Sequence, residues 1–390
     1  MTSHHTTASM YTLWGTPHSL YTGKVRSYLI KKGIAFRELT PAHPRFRSHV
    51  LPVVQMVVVP VLELPDGSLI QDSTDIIDAL ESSFPENPMV PMTPVQASVA
   101  RLLDAFGTEG MLAAAMHYRW SYRAEQEHFL RAEFGRAVHA GPNREARLAA
   151  GAALMDYFNG FLPMLGVTPA TIPAVEAAHE ALLDALDIHF QHSPYLLGGR
   201  PSIADFGFMA PLFAHLARDP YPGTLMKNRA PNVYRWTERM NMANIADGEF
   251  ADCPEDWLAD DAISPTLEPV LALLFRDWGP QLSADARAFN AWAEGGTSLP
   301  ADQIVSMDGD RKVHPTIGLV EIEWRGCKLN RASAPHGLWL FSKAQATANA
   351  IGGEARKRFS ELVKRTGGEQ VMAIRLARAM KRENNVLVLA

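Results

Sequence analysis

The sequence predicts a small α+β domain, then an all-α domain, then a mixed and mostly helical C-terminal extension. Three observations support this fold class. Strand and helix patterns alternate over residues 10–85, long segments of helical spacing follow a linker rich in proline and asparagine, and the composition changes again near residue 243. We place the domain boundaries at 10–85, 93–245 and 246–390.

Composition excludes several classes of protein. The chain has 390 residues, a net charge of −5 and 47% hydrophobic residues, which suits a globular protein with more than one core. The mild acidity argues against nucleic-acid binding, and no apolar run approaches the roughly 20 residues that span a bilayer. Cys253 and Cys327 form no C-x-x-C pair, so we expect neither disulfides nor structural zinc, and a cytoplasmic location fits best.

The first ten residues and the histidines carry no further signal. MTSHHTTASM lacks the apolar segment of a secretory signal, so we expect a short disordered lead-in. His4-His5 and the distant histidines do not form a ligand set with metal spacing in one element, so we expect no metal ion.

The α+β domain begins with a strand over 11–15, a helix over 23–32 and a strand over 35–39. Gly33 follows two lysines and is a good helix stop, because glycine tolerates the left-handed cap. A hairpin follows, with strands at 57–64 and 68–71 around the turn Pro65-Asp66-Gly67. Asp72 or Ser73 then caps a helix.

Helical periodicity dominates the second domain. We expect its helices within 95–122, 144–165, 172–192, 202–216 and 232–242. Ser202 and Asp205 have the spacing of a capping box, to which we give a structural role.

In the extension, 266–289 is expected to be helical, 307–329 to contain turn residues followed by β-type alternation, and 351–381 to be helical and basic. Nine basic and four acidic residues between 353 and 390 give a local charge of about +5. Such a face could lie on an anionic membrane, but a solvated face is the commoner role and membrane binding is not our expectation.

Hydroxyl groups are concentrated where the first strand passes into the first helix. Thr16, Ser19 and Tyr21 all lie there. A thiol with a pKa of about 8.5 is a poor nucleophile at neutral pH, because only its thiolate form attacks and little of it is ionised. A hydroxyl donor and the positive end of a helix would both favour its thiolate, and lowering the pKa by about two units requires roughly 2.7 kcal/mol. The alternative role for Ser19 is to cap the helix, without any part in catalysis.

Three motifs together resemble the glutathione transferase superfamily. They are S-L-Y-T-G-K-V-R at 19–26, V-P-V-L at 59–62 followed by Q-D-S at 71–73, and G-G-R-P-S-I-A-D-F at 198–206. The resemblance covers residues 10–242. It implies a thioredoxin-like first domain, an all-helical second domain of the transferase type, and glutathione as co-substrate without metal or nucleotide.

The resemblance also implies roles for individual residues. Ser19 would stabilise the glutathione thiolate, with Tyr21 and Thr16 as the other candidates. Val59 and Pro60 would be joined by a cis peptide bond, and the Val59 backbone would pair with the tripeptide. Asp72 would receive the γ-glutamyl ammonium and Ser73 its carboxylate at a helix N-terminus. Gln55 would reach the glycyl end.

By the same resemblance, Met116, Tyr118 and Trp120 would line an apolar pocket for the second substrate; a role in the core or at a dimer contact is the alternative. The implied activity, part of detoxification, is addition of glutathione to an apolar or aromatic electrophile, or displacement of an ether or halide from it. The implied assembly is a homodimer.

Departures from the family pattern favour a second hypothesis, a catalytically silent glutathione-binding scaffold. Leu20 stands where many relatives have proline, and Val57-Val58 replace a basic residue before V-P. The loop after the first strand has no cysteine, which disfavours thiol-disulfide exchange.

Overall fold

The computed structural model describes residues 10–295 and 299–390. The lead-in that we expected to be disordered lies outside these residues, except for Met10. His4 and His5 lie outside them too. One cluster of buried hydrophobic side chains extends from Leu13 to Leu389 and connects the α+β, helical and C-terminal regions. The division at 85, 93 and 245 therefore stays a prediction.

The first region is the expected α+β domain. Its elements are β1 (Tyr11–Trp14), α1 (Leu20–Lys32), β2 (Phe36–Leu39), α2 (Leu51–Val54), β3 (Val61–Glu63), β4 (Leu69–Gln71) and α3 (Ser73–Ser83). The sheet order is β2-β1-β3-β4, with β1 parallel to β2 and the other pairs antiparallel.

Local signals set the ends of α1 but not the start of β3. Ser19 is the N-cap of α1, and Gly33 ends the helix with a φ of 74°. The prediction of a strand from 57 was wrong, because β3 begins only at Val61. Pro60 precedes that residue and has no N–H to donate to a neighbouring strand.

The second region is helical. It contains α4 (Pro94–Ala105), α5 (Leu112–Trp120), α6 (Arg123–Val138), α7 (Arg144–Asn159), α8 (Ile172–His192), α9 (Ile203–Pro211), α10 (Pro220–Arg229) and α11 (Pro231–Met240). The sequence did not predict α6 or α10. The single helix expected over 95–122 is interrupted by a π-helical turn at Phe106–Gly110. There Gly107 lies against the backbone of Gly207. A Cβ atom at position 107 would come within 2.5 Å of that backbone.

The predicted capping box forms at the start of α9. The Asp205 carboxylate accepts hydrogen bonds from the Ser202 N–H at 2.9 Å, the Leu196 N–H at 3.0 Å and the Trp236 indole at 3.2 Å. Burial raises the pKa of Asp205 to about 6, although these hydrogen bonds oppose the shift. The structural role assigned to the motif fits these contacts.

The C-terminal extension contains helices and two small sheets. Its elements are α12 (Glu268–Asp277), α13 (Gly279–Glu294), β5 (Leu319–Trp324), β6 (Cys327–Ala332), α14 (Pro335–Asn349), α15 (Gly353–Arg365), α16 (Glu369–Met372), β7 (Met380–Glu383) and β8 (Val386–Leu389). β5 and β6 lie largely in the segment expected to alternate like β-strands, and they pair antiparallel. β7 and β8 also pair antiparallel, and the sequence analysis missed them. α14 and α15 pack against α4.

The expectation of one helix over 351–381 was wrong. Gly367 has a φ of 76°, and a side chain on Gly368 would approach the Phe275 ring to 2.5 Å. These two glycines therefore separate α15 from the short α16, and the chain later turns back at Asn384-Asn385, which both have positive φ.

Basic residues of the segment 353–390 pair with acidic residues earlier in the extension. Arg358 lies 3.0 Å from Asp261, and Arg365 lies 2.7 Å from Glu268. These ion pairs reduce the excess of positive charge on which the membrane hypothesis depended. Among the residues that the structure describes, no helix combines the length and apolarity needed to cross a membrane.

A buried lysine connects the first two regions. Lys24 Nζ on α1 lies 2.7 Å from the Asp104 carboxylate on α4 and donates to the hydroxyls of Thr74 and Thr108. The two charged side chains are 1% and 6% exposed. Since an unpaired charge is costly in such surroundings, the pair fixes α1 against α4 and the start of α3.

Candidate active site

The strand register brings three loops to one edge of the sheet. Trp14 at the end of β1 pairs with Val61 at the start of β3, and Val61 pairs with Gln71 at the end of β4. These three residues adjoin, in sequence, the segments that contain Ser19, Val59-Pro60 and Asp72-Ser73. The candidate residues thus come from loops that meet at the same edge.

Ser19 begins α1 and is half-buried. Its Oγ accepts a hydrogen bond from the Thr22 N–H at 3.4 Å, so the predicted alternative, a capping role, is present. A hydroxyl that accepts from the backbone still has its own proton to donate. Thr16, the other small hydroxyl of this loop, is buried.

Tyr21 points to a carboxylate instead. Its hydroxyl donates to Glu109 Oε1 at 3.0 Å. Burial, reinforced by Glu109, raises the pKa of Tyr21 well above its usual value. Since the phenolic proton is already donated to Glu109, this arrangement does not favour Tyr21 as the donor to a thiolate.

The Val59–Pro60 peptide bond is cis, as the resemblance implied. Val59 is partly buried against an apolar cluster that includes Val61 and Val388. Gln55 follows α2 in a left-handed conformation with a φ of 60°, and its side chain is exposed.

Asp72 and Ser73 begin α3. Asp72 caps the helix with a φ of 87°, an uncommon value for a residue other than glycine, and its Oδ1 accepts from the Thr74 N–H at 2.8 Å. The Ser73 side chain is 1% exposed, and its Oγ has no hydrogen-bond partner among the residues that the structure describes. A buried, unpaired hydroxyl at a helix N-terminus suits an anionic ligand group.

A histidine of the extension contacts this site. His336, in the first turn of α14, places Nε2 2.9 Å from Asp72 Oδ2 and Nδ1 2.9 Å from Glu109 Oε1. Both ring nitrogens face carboxylates, so both must donate, which only the imidazolium does. Burial favours the neutral ring, but Glu109 and Asp72 outweigh it and raise the pKa of His336 to about 10.

The charge of His336 acts on Asp72 in turn. Burial favours the neutral acid, yet His336, Arg382 and the Thr74 N–H hold the pKa of Asp72 well below its usual range. The Arg382 guanidinium is 3.9 Å from Asp72 and 2.9 Å from Asp75, and it also contacts the Gln71 side chain. Asp72 is therefore a carboxylate that faces two cations of the extension.

The predicted second-substrate residues lie in the core. Met116 and Trp120 pack with Leu130, Phe134 and Met155. Tyr118 stacks on Tyr122 with ring centroids 5.8 Å apart. All three predicted residues are buried, so they do not line an open cleft in this structure, and the core alternative describes their present contacts.

Three residues at the site were missed from the sequence: Glu109, His336 and Arg382. Glu109 lies in the unpredicted π-helical turn. The hairpin that carries Arg382 had a readable signal, because Asn-Asn between a polar and a valine-rich segment is typical of a two-residue turn with positive φ. For His336, the one local signal was Pro335, because proline is favoured at the first position of a helix. It indicates that His336 lies in a first helical turn but not what His336 contacts.

Two family models match the chain. Residues 13–88 match the glutathione S-transferase N-terminal domain, and residues 169–239 match the glutathione S-transferase C-terminal domain. A search of curated proteins gave no match.

Solved structures of low sequence identity also align. A glutathione S-transferase from Rhodospirillum rubrum F11 is 18% identical, with 67% of this chain and 99% of that chain covered and a TM-score of 0.37. One from Methylobacterium radiotolerans, in complex with glutathione sulfonate, is 21% identical over 65% and 100% of the two chains, with a TM-score of 0.36. A beta-etherase from Sphingobium sp. strain SYK-6 is 19% identical over 62% and 99%, with a TM-score of 0.38.

Proposed function

Because the chain belongs to the glutathione S-transferase superfamily, we propose that it binds glutathione at the sheet edge of residues 10–85 and transfers it to an apolar or aromatic electrophile. The observation that carries this proposal is the buried Ser73 hydroxyl at the start of α3, for which residues 10–295 and 299–390 supply no hydrogen-bond partner. Such a donor, at the positive end of the helix dipole, suits the γ-glutamyl carboxylate.

The remaining contacts with glutathione follow the same edge. Asp72 is the acceptor for the γ-glutamyl ammonium, and the Val59 backbone pairs with the extended tripeptide. The exposed Gln55 is the contact for the glycyl end. The tripeptide then lies along the sheet with its sulfur toward the start of α1.

Ser19 is the group that acts on sulfur. As the thiol gives its proton to solvent, the Ser19 hydroxyl donates a hydrogen bond to the thiolate, and the positive end of α1 adds to the stabilisation. The thiolate electron pair forms the new carbon–sulfur bond. In the addition variant, a π bond of the electrophile breaks and its electron pair takes a proton from solvent. In the displacement variant, the carbon–oxygen or carbon–halogen bond breaks and its electron pair leaves with the alkoxide or halide.

A catalytically silent glutathione-binding scaffold is the second candidate. Two observations favour it. His336 is hydrogen-bonded to the Asp72 carboxylate that would receive glutathione, and Met116, Tyr118 and Trp120 are buried in the core. For either candidate we propose a cytoplasmic homodimer, on family resemblance alone.

Retention on immobilised glutathione, followed by conjugation assays with a generic aryl halide, separates the two candidates. Retention with turnover that is lost in Ser19→Ala supports the transferase. Retention without turnover of several electrophiles supports the scaffold. If the chain neither binds glutathione in calorimetry at millimolar concentration nor turns over, both are wrong.

A further inference from the structure

We propose that the C-terminal extension closes the glutathione site with a ligand-like cation, His336, so that the extension and glutathione compete for Asp72. The inference rests on the proposed function. It adds an internal competitor, and it names the residue that takes the place of the γ-glutamyl ammonium.

The polar contacts form the first argument. The imidazolium of His336 donates to Asp72 at 2.9 Å and to Glu109 at 2.9 Å. Asp72 Oδ1 already accepts from the Thr74 N–H, so Oδ2, the oxygen that faces His336, is the one left to receive a ligand cation. An ammonium and this imidazolium cannot occupy the same position.

The second argument is a matched row of charges. Asp72, Asp75 and Asp78 recur every three residues along α3, which places them near one another on the helix surface. The extension supplies one cation to each. His336 contacts Asp72, Arg382 lies 2.9 Å from Asp75, and Lys343 lies 2.7 Å from Asp78.

The third argument is apolar cover at the other end of the predicted tripeptide site. Val386 and Val388 of β8 pack in one cluster with Val54, Met56 and Val61. Val58 and Val59 are partly buried against this cluster. Val57-Val58 stand where the family pattern often has a basic residue. Instead of contacting a ligand as a basic residue would, Val58 packs against this cluster.

Together these contacts cover both the γ-glutamyl end and the Val59 segment. A ligand that binds only the uncovered site has its apparent affinity reduced by the fraction of molecules in which the site is uncovered. Removing a contact that holds the extension in place raises that fraction. The glutathione affinity should therefore rise when His336 or Arg382 is removed.

Calorimetry with glutathione tests this on the full chain. We expect His336→Ala and Arg382→Ala to bind glutathione at least ten times more tightly than the wild type. His192→Ala is the control for loss of a histidine, since His192 is exposed on α8. Arg365→Ala is the control for loss of an arginine, since Arg365 pairs with Glu268 away from the site. Both controls should bind as the wild type does.

Hydrogen exchange provides a readout that does not depend on any variant. Saturating glutathione should speed amide exchange in α14 and in β7–β8 of the wild type, because bound ligand displaces them. Increased protection there would overturn the proposal.

The outcomes separate the two proposals. If the wild type and both variants bind glutathione equally well, competition by the extension is wrong and glutathione binding stands. If His336→Ala binds more weakly, His336 supports the ligand and the competition is likewise wrong. If none of the proteins binds at millimolar concentration, glutathione binding itself is refuted, and the competition with it. If one variant does not fold, the other decides.

Discussion

His336 Nε2 lies 2.9 Å from Asp72 Oδ2, although 264 positions of sequence separate the two residues. The contact joins the first turn of α14 to the N-cap residue of α3. It places a positive charge of the extension where the family resemblance expects a positive group of the substrate.

The charge of His336 makes stability depend on pH. The pKa of His336 in the folded chain is about 10, above the ordinary histidine value of about 6.5. The imidazolium therefore contributes its full stabilisation below about pH 6.5, and this contribution declines as the pH rises toward about 10. We expect the difference in unfolding free energy between wild type and His336→Ala to shrink from pH 7 to pH 10 in urea titrations. A difference that stays constant over this range would contradict the assignment.

Ser19→Ala should separate chemistry from binding. Loss of the hydroxyl should lower turnover of an aryl halide roughly 25-fold at neutral pH, because a rise in the thiol pKa from about 6.5 to about 8.5 lowers the thiolate fraction from about three quarters to about 3%. Retention on immobilised glutathione should persist, and the lost cap should reduce stability by only about 1 kcal/mol. Tyr21→Phe is the comparison. If Ser19→Ala turns over at the wild-type rate and Tyr21→Phe does not, the donor is Tyr21.

Ser73→Ala should weaken glutathione binding and leave stability unchanged. Within the described part of the chain the Ser73 hydroxyl has no hydrogen-bond partner, so its removal breaks no hydrogen bond there. In the complex it would donate to a carboxylate, a bond of about 1.5–3 kcal/mol, or roughly 10- to 150-fold in Kd. Calorimetry and thermal melts measure the two quantities. A marked loss of Tm would show that the hydroxyl has a structural partner instead.

Lys24→Met should destabilise the chain strongly. The change leaves Asp104 buried without its cation, which costs about 3–5 kcal/mol. Lys381→Met is a matched control, because Lys381 is half-exposed beside Asp302 and such pairs contribute about 0–1 kcal/mol. Urea unfolding measures both. Adding Asp104→Leu to Lys24→Met should recover part of the loss, and no recovery would mean that the lysine stem, not the charge, matters.

Much of the first region was predictable because its signals are local. Gly33 ends α1, the turn at 65–67 joins β3 to β4, and Asp72 caps α3, each within a few residues of the element that it defines. The strand register then follows from the antiparallel pairing of β3 with its neighbours.

The contacts of the extension were not predictable in the same way. No local pattern connects His336 to Asp72, since neighbours in sequence do not specify which distant carboxylate a histidine meets. The aromatic pattern of α5 fitted a cleft and a core equally well, and only tertiary packing buried Tyr118 and Trp120. Arg382 was different, because Asn384-Asn385 was a turn signal that could have placed it on a hairpin.

The apolar cluster around Val61 has a consequence for synthesis of the chain. Val54, Met56 and Val61 are translated early, while Val386 and Val388, which cover them, emerge from the ribosome far later. The nascent chain therefore carries an open hydrophobic face during most of elongation. Chaperones that act during translation have a specific patch to shield until β8 arrives.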